Sequence, residues 1–171
     1  MALTRAGHAL AHLAGDLDIG IALLDRAIVL NPNLASAWFL GGFLRTWRGE
    51  PDNAIVHFER AMRLSPLDPE LYRMQAGIAV AHLFAGRFEV ASTWAEAALM
   101  KLPSFLMTVA IVASSRALTG RLEDARRAMD QLRTFAPALR ISDLKDWLPI
   151  SRPADLSIFA EGLRKAGLPE R

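Results

Sequence analysis

The sequence predicts an all-α fold, built as about four consecutive helical hairpins followed by a C-terminal capping segment. Two periodic sets of residues indicate this architecture. Prolines recur at intervals of 34, 37 and 34 residues, at Pro32, Pro66, Pro103 and Pro137. Glycines recur at the same three intervals, at Gly15, Gly49, Gly86 and Gly120. Because the two sets are independent and agree on the single longer interval, they indicate a repeated unit of two helices.

Each set of residues has a physical role in such a unit. Glycine readily adopts the left-handed conformation that ends a helix, so these glycines are predicted to close the first helix of each hairpin. Proline cannot continue a helix, so the prolines are predicted to separate one hairpin from the next. Between them, apolar residues recur at three- and four-residue spacing, as at Ala54 and Phe58. The extra residues of the longer unit lie between Pro66 and Gly86, where Leu67-Asp68-Pro69 supplies an extended linker.

The period places the repeats in residues 1–137 and the capping segment in residues 138–171. The four predicted units are 1–34, 35–68, 69–105 and 106–137. In the capping segment, 141–148 is predicted to form a short helix, and Pro153 begins a last helix that ends near Gly167. A solenoid needs a cover for the apolar face of its last repeat. The residues suited to this cover are Trp147, Leu148, Leu156, Phe159 and Leu163.

The composition excludes several classes of protein. With 52% hydrophobic and 22% charged residues, the 171-residue chain is not a disordered tail. The formal net charge is +2 and no basic run is interleaved with aromatics, so nucleic acid is not an expected partner. The most apolar stretches, 77–86 and 105–113, are shorter than the roughly 18 residues needed to cross a bilayer, so a membrane is not expected either. The absence of cysteine excludes thiol chemistry and fits a reducing cytoplasm. The first residues carry neither a helix N-cap signal nor a secretory signal, so the chain is expected to be a fragment of a longer protein.

Motifs for catalysis and for cofactor binding are absent from the sequence. There is no Gly-rich phosphate loop, no His-Glu-x-x-His and no Gly-x-Ser-x-Gly, so we predict neither catalytic residues nor a cofactor. His8 and His12 are one helical turn apart and Asp16 follows, a spacing at which imidazoles can share a metal ion. A packing role for His8 and a surface position for His12 are the favoured interpretation. We therefore predict no metal site.

A family resemblance is carried by the second unit. Residues in a diagnostic order and spacing are Trp38, Gly41, Gly42, Ala54, Phe58, Ala61 and Pro66. This set resembles the signature of tetratricopeptide repeats. The third and fourth units match the signature in part, the first unit is degenerate, and the resemblance covers roughly residues 1 to 137. It implies a right-handed α-solenoid.

The same resemblance implies a ligand surface, because in this family the first helix of each hairpin lines a concave groove. The residues that this places in a groove for a peptide or partner helix are Arg5, His12, Phe39, Phe43, Trp47, Arg73, Val80 and Phe84. Ala9 and Phe43 stand where some members carry asparagines that clamp a terminal carboxylate, so that specificity is not expected. An apolar groove edged by Arg5 and Arg73 favours an amphipathic helix or an extended apolar segment. The alternative is that the aromatics pack against the capping helix or a neighbouring hairpin.

A second resemblance concerns the C-terminal segment. Residues 152–155 (Arg-Pro-Ala-Asp), 161–169 and 64–69 are similar to bacterial proteins that join such repeats to a class III adenylate cyclase or a winged-helix domain. Three functions therefore stay open. The first is a protein-interaction module, whose partner is a protein, a peptide or a segment of its own full-length chain. The second is a regulatory region of a cyclase-type signalling enzyme that mediates dimerisation or signal relay. The third is self-association through the exposed end of the first repeat.

Overall fold

The computed structural model describes residues 2–13 and 15–171, and for residues 8, 12 and 13 it describes the backbone alone. Within this part of the chain every regular element is helical, as predicted. The eight helices of the hairpins are α1 (Ala2–Leu13), α2 (Leu17–Leu30), α3 (Ala35–Arg48), α4 (Pro51–Leu64), α5 (Leu71–Phe84), α6 (Phe88–Leu99), α7 (Leu106–Leu118) and α8 (Leu122–Phe135). A 3-10 turn at Ile141–Asp143 leads to α9 (Leu144–Trp147), and α10 (Pro153–Ala166) follows.

The turn inside each hairpin is closed by a glycine in the left-handed conformation. The φ angles are 69°, 87°, 74° and 80° at Gly15, Gly49, Gly86 and Gly120. In the last three turns, the N–H group after the glycine donates to the carbonyl five residues earlier. These bonds are Glu50 to Arg45 (2.8 Å), Arg87 to His82 (2.9 Å) and Arg121 to Arg116 (2.8 Å). This pattern satisfies helix carbonyls that would otherwise lack a partner, which explains why glycine recurs there.

The longer third interval is accommodated in the linker between α4 and α5. This linker spans 65–70, whereas the linker between α2 and α3 spans only 31–34. Asp68 organises the longer linker, because its carboxylate accepts hydrogen bonds from the Glu70 N–H (2.8 Å) and the Ser65 hydroxyl (3.2 Å). Leu67, at the tip of the linker, is 94% exposed. The insertion therefore lengthens the linker, and α5 keeps the same length as α3, 14 residues.

Adjacent hairpins interlock through Phe58, a fully buried side chain of α4. A Cβ atom added at Gly42 of α3 or at Gly77 of α5 would collide with the Phe58 ring. The two glycines thus let α3 and α5 approach the ring. Ring edges of Phe39 and Phe43 also meet Phe58, with centroids 6.5 and 5.0 Å away. Packing of this kind joins the second and third hairpins.

The C-terminal segment folds back over the first helices of the hairpins. Helix α10 packs chiefly on α7 and also contacts α5 and α8. Its Phe159 and Leu163 are buried, and a Cβ atom at Gly162 would lie 2.8 Å from the backbone oxygen of Ser114 on α7. The sequence predicted that this segment covers the apolar face of the last repeat. Because α10 returns across α7 towards α5, it covers part of the first-helix face, defined as the face formed by α3, α5 and α7.

Candidate functional site

A cavity of about 410 Å³ lies on the first-helix face, beside the part that α10 covers. We call this cavity the cup. Its walls come from helices α3, α5 and α7, from the residue before α7, and from residues 147–149 of the C-terminal segment. The lining residues are Leu40, Phe43, Trp47, Tyr72, Arg73, Phe105, Met107, Trp147, Leu148 and Pro149. Its volume is within the range of about 300 to 1,000 Å³ that is typical of ligand sites.

Two pairs of aromatic side chains form walls of the cup. On α3, the rings of Phe43 and Trp47 are stacked, with centroids 6.0 Å apart and an interplanar angle of 23°. Tyr72, on α5, meets Phe105 edge to face, with centroids 5.2 Å apart. Such pairs restrict each other's rotation and stabilise their arrangement beyond the area that they bury. The walls are therefore largely preformed.

Arg73 is the one charged residue among those that line the cup. Its guanidinium lies over the ring of Phe39, with Cζ 5.2 Å from the ring centroid, and Nη1 donates to Glu70 Oε1 at 2.8 Å. These two contacts hold the cation in place, and the side chain remains 37% exposed. A guanidinium carries five N–H donors, so the bond to Glu70 leaves capacity for a second carboxylate.

The C-terminal segment that forms the third wall is fastened to the end of α3. Both the N–H (3.2 Å) and the hydroxyl of Ser151 donate to the Trp47 carbonyl. Arg152 Nη1 donates to the Gly49 carbonyl at 3.1 Å, which places a cation at the negative end of the helix. Leu148 and Pro149 lie just before Ser151 and Arg152 in the chain, so these hydrogen bonds position this wall of the cup.

The structure divides the residues that the sequence placed in a groove. Phe43, Trp47 and Arg73 line the cup. Phe39 is not among the lining residues; it lies beneath Arg73, and its ring packs against Phe43 and Phe58. It therefore supports the cup without forming its surface.

The remaining predicted groove residues lie elsewhere. Val80 and Phe84 of α5 are 1% and 7% exposed and belong to the same core as Phe159 and Leu163 of α10. Their burial in this shared core explains the difference from the sequence-based expectation. Arg5 is exposed on α1 and does not line the cup. The side chain of His12 lies outside the described residues.

Sequence reasoning missed two groups of cup residues. Tyr72 lies in the first turn of α5, and Phe105 immediately precedes α7. The insertion before α5 also obscured which residues of α5 share a face. Trp147 and Leu148 were predicted to cover the last repeat, and they also form a wall of the cup. The signal in the sequence was an aromatic residue shortly after a proline, at Tyr72 after Pro69 and at Phe105 after Pro103.

A buried histidine lies away from the cup, between α3 and α4. His57 is 9% exposed, its ring centroid is 4.8 Å from that of Trp38, and Nδ1 would be 2.8 Å from a Cβ atom at Gly41. Burial, together with the nearby Arg45 guanidinium, lowers the pKa of His57 to about 4. The imidazole is therefore neutral near pH 7 and acts as a packing residue.

The described residues contain no cluster of three or more histidine or acidic side chains arranged to hold a metal ion. Among the same residues, no helix combines the length and the apolar character needed to cross a bilayer.

At the start of α10, Asp155 is 1% exposed, and burial raises its pKa, an effect that the Arg152 guanidinium opposes.

No protein-family model and no curated protein matches the chain. Solved structures do match. The crystal structure of PilW, a widely conserved type IV pilus biogenesis factor, has a TM-score of 0.74 at 18% identity, over 95% of this chain and 71% of PilW. TTC0263, a thermophilic TPR protein of Thermus thermophilus, has a TM-score of 0.66 at 20% identity, over 96% of this chain and 90% of its own.

A third match is YrrB, described as a TPR protein with an unusual peptide-binding site. Its TM-score is 0.62 at 16% identity, over 93% of this chain and 80% of YrrB. None of these three proteins is described as part of a cyclase, so the interpretation of 152–155 and 161–169 as a cyclase-linked tail gains no support from them. At these identities the likeness establishes the fold: the chain is an α-solenoid of tetratricopeptide-type helical hairpins.

Proposed function

We propose that the chain is a protein-interaction module that binds a short segment of a partner protein in the cup. The observation that carries this proposal is a cavity with preformed aromatic walls on the first-helix face, the face that tetratricopeptide-type folds use for ligands. YrrB, with a similar fold, is described as having a peptide-binding site. Rigid aromatic walls favour binding because few side chains lose freedom when the ligand enters.

The position of α10 limits what the cup can hold. A partner helix that followed the whole first-helix face would need the place on α7 and α5 that α10 already occupies. Displacing α10 would expose Phe159 and Leu163, which are 1% and 0% exposed, and hydrophobic burial opposes this. Of the two ligand types that the sequence favours, an extended apolar segment therefore fits better than an amphipathic helix.

A display experiment tests this function. Random peptides of about 12 residues, long enough to cross the cup as an extended chain, are selected on the folded protein. The enriched peptides are then measured by fluorescence polarisation. Tyr72→Ala removes a half-buried wall of the cup, whereas truncation of Phe43 would also disturb its packing on Phe58. We expect affinity to fall about tenfold or more in Tyr72→Ala, as is typical for a central aromatic anchor.

The matched control is Leu67→Ala, since Leu67 is 94% exposed in the linker and does not line the cup. This variant is expected to bind like the unmodified chain. Circular dichroism and thermal unfolding verify that both variants fold. Failure to enrich any peptide, or equal affinity of the two folded variants, would refute the proposed function.

A further inference from the structure

The charge at the cup has a single sign. Arg73 is the only charged residue of the lining, and the nearest acid, Glu70, is bound to it from outside the cup. Phe39 supports the guanidinium from below at 5.2 Å. An apolar cavity with one fixed cation at its edge is complementary to an apolar group that has an anion beside it.

The walls specify the apolar group. The stacked pair of Phe43 and Trp47 and the edge-to-face pair of Tyr72 and Phe105 line the same cavity of about 410 Å³. A large side chain can bury its surface there and contact ring faces and edges. A small side chain would leave most of the cavity unfilled and lose those contacts.

We propose, building on the proposed function, that the cup recognises a peptide segment in which a large apolar side chain adjoins an aspartate or glutamate. The apolar side chain enters between the two aromatic pairs, and the carboxylate accepts hydrogen bonds from the Arg73 guanidinium. Arg73 also acts against other sequences. A lysine or arginine beside the apolar residue would be repelled, and a neutral residue would leave the guanidinium without the additional partner.

Capped synthetic peptides test this recognition directly. The probes are fluorescein-labelled Ser-Gly-Asp-Phe-Gly-Ser and Ser-Gly-Phe-Asp-Gly-Ser, because the order of the two residues is open. Matched peptides carry Asn for Asp or Ala for Phe. We expect the better Asp peptide to bind about three to ten times more tightly than its Asn counterpart, the range for a partly exposed charged hydrogen bond. The Ala peptide is expected to bind more weakly than either.

Substitutions assign the preference to one residue. Arg73→Gln should bind the Asp and Asn peptides equally, and Arg73→Lys should recover part of the preference because the charge remains. Arg63→Gln is the matched control, since Arg63 lies on α4, outside the cup, and is 60% exposed. It should keep the full preference. Raising the salt concentration should reduce the preference for Asp and leave the preference for Phe.

Two outcomes overturn the inference. The first is that the Asp and Asn peptides bind equally well, or do not bind, whichever of the two residue orders the peptide has. The other is an Asp preference that persists in folded Arg73→Gln. Either result leaves the proposed function intact if displayed peptides still bind in a manner that Tyr72→Ala weakens. If no displayed peptide binds at all, the proposed function itself fails.

Discussion

Arg45 on α3 donates two hydrogen bonds, of 2.7 and 2.9 Å, to the carboxylate of Asp25 on α2, so an ion pair joins the first and second hairpins. Arg45 is only 9% exposed. The equivalent position of α7 is Arg116, which contacts Glu96 of α6 at 2.8 Å. Repeat-related positions therefore connect the second helix of one hairpin to the first helix of the next at two of the three junctions.

The middle junction lacks this pair within the described structure. His82 stands at the position of Arg45, and it accepts a hydrogen bond from Arg87 at 2.8 Å. Glu59, the repeat equivalent of Asp25, lies 3.8 Å from Arg63 on its own helix instead. At this junction Phe58 is buried, and a different ion pair, between Arg87 and Asp52 at 2.8 Å, joins the second and third hairpins.

Asp25→Asn should destabilise the fold, because it leaves the buried Arg45 guanidinium without its counter-charge. We expect the free energy of unfolding to fall by about 1–3 kcal/mol. The matched control is Glu59→Gln, which removes a 46% exposed carboxylate at the same repeat position and should cost about 0.5 kcal/mol or less. Urea denaturation measures both variants. Equal losses would contradict the importance of the Arg45–Asp25 pair.

Acid should destabilise the fold partly through His57. Its pKa in the folded state is about 4, against an ordinary value of 6.5, so the unfolded state binds the proton more tightly. The contribution of neutral His57 to the free energy of unfolding is fully present above pH 6.5 and is lost as the pH falls towards 4. The total loss is at most about 3 kcal/mol. The charged groups that act on the imidazole are Arg45, which opposes protonation, and Asp25 and Glu50, which favour it.

The variant His57→Gln isolates this effect. Urea denaturation at a series of pH values between about 4 and 7.5 should show a smaller loss of stability in His57→Gln than in the unmodified chain. The stability of His57→Gln will still fall somewhat as the pH is lowered, because burial also lowers the pKa of His82. If the two chains lost stability in parallel, the assignment to His57 would be wrong.

Gly49→Ala should cost more stability than Gly86→Ala. Both glycines have positive φ angles, so each substitution incurs backbone strain of about 1–2 kcal/mol. Only at Gly49 would the new Cβ atom collide with a side chain, that of Arg152, whereas nothing lies within 4 Å at Gly86. A double-mutant cycle with Arg152→Ala should therefore be non-additive for Gly49→Ala and additive for Gly86→Ala.

Gly162→Ala should loosen α10 from α7. The added Cβ atom would meet the Ser114 hydroxyl and, at 2.8 and 2.9 Å, the Ser114 backbone oxygen and Cα. We expect a loss of about 1–3 kcal/mol and faster hydrogen exchange in 153–166. Adding Ser114→Ala should not restore stability, because the backbone atoms remain. Glu161→Ala, at a neighbouring exposed position, should leave the exchange rates unchanged.

The sequence by itself determined the helical hairpins, because their signals are local. A left-handed glycine, a proline and a helical apolar period act through neighbouring residues, and the structure has positive φ angles at Gly49 and Gly86 as the glycine spacing predicts. The resemblance to tetratricopeptide repeats likewise placed Phe43, Trp47 and Arg73 on the first-helix face.

Only the tertiary structure decided which parts of that face are open. The Ser151 hydroxyl donates to the carbonyl of Trp47, 104 residues earlier, and residues 147–149 add a wall to the cup. Val80 and Phe84 are buried in a core that they share with Phe159 and Leu163 of α10. No pattern within a window of one repeat carries this information. Burial depends on contacts between residues far apart in the chain, whereas helix and turn preferences depend on residues that are close together.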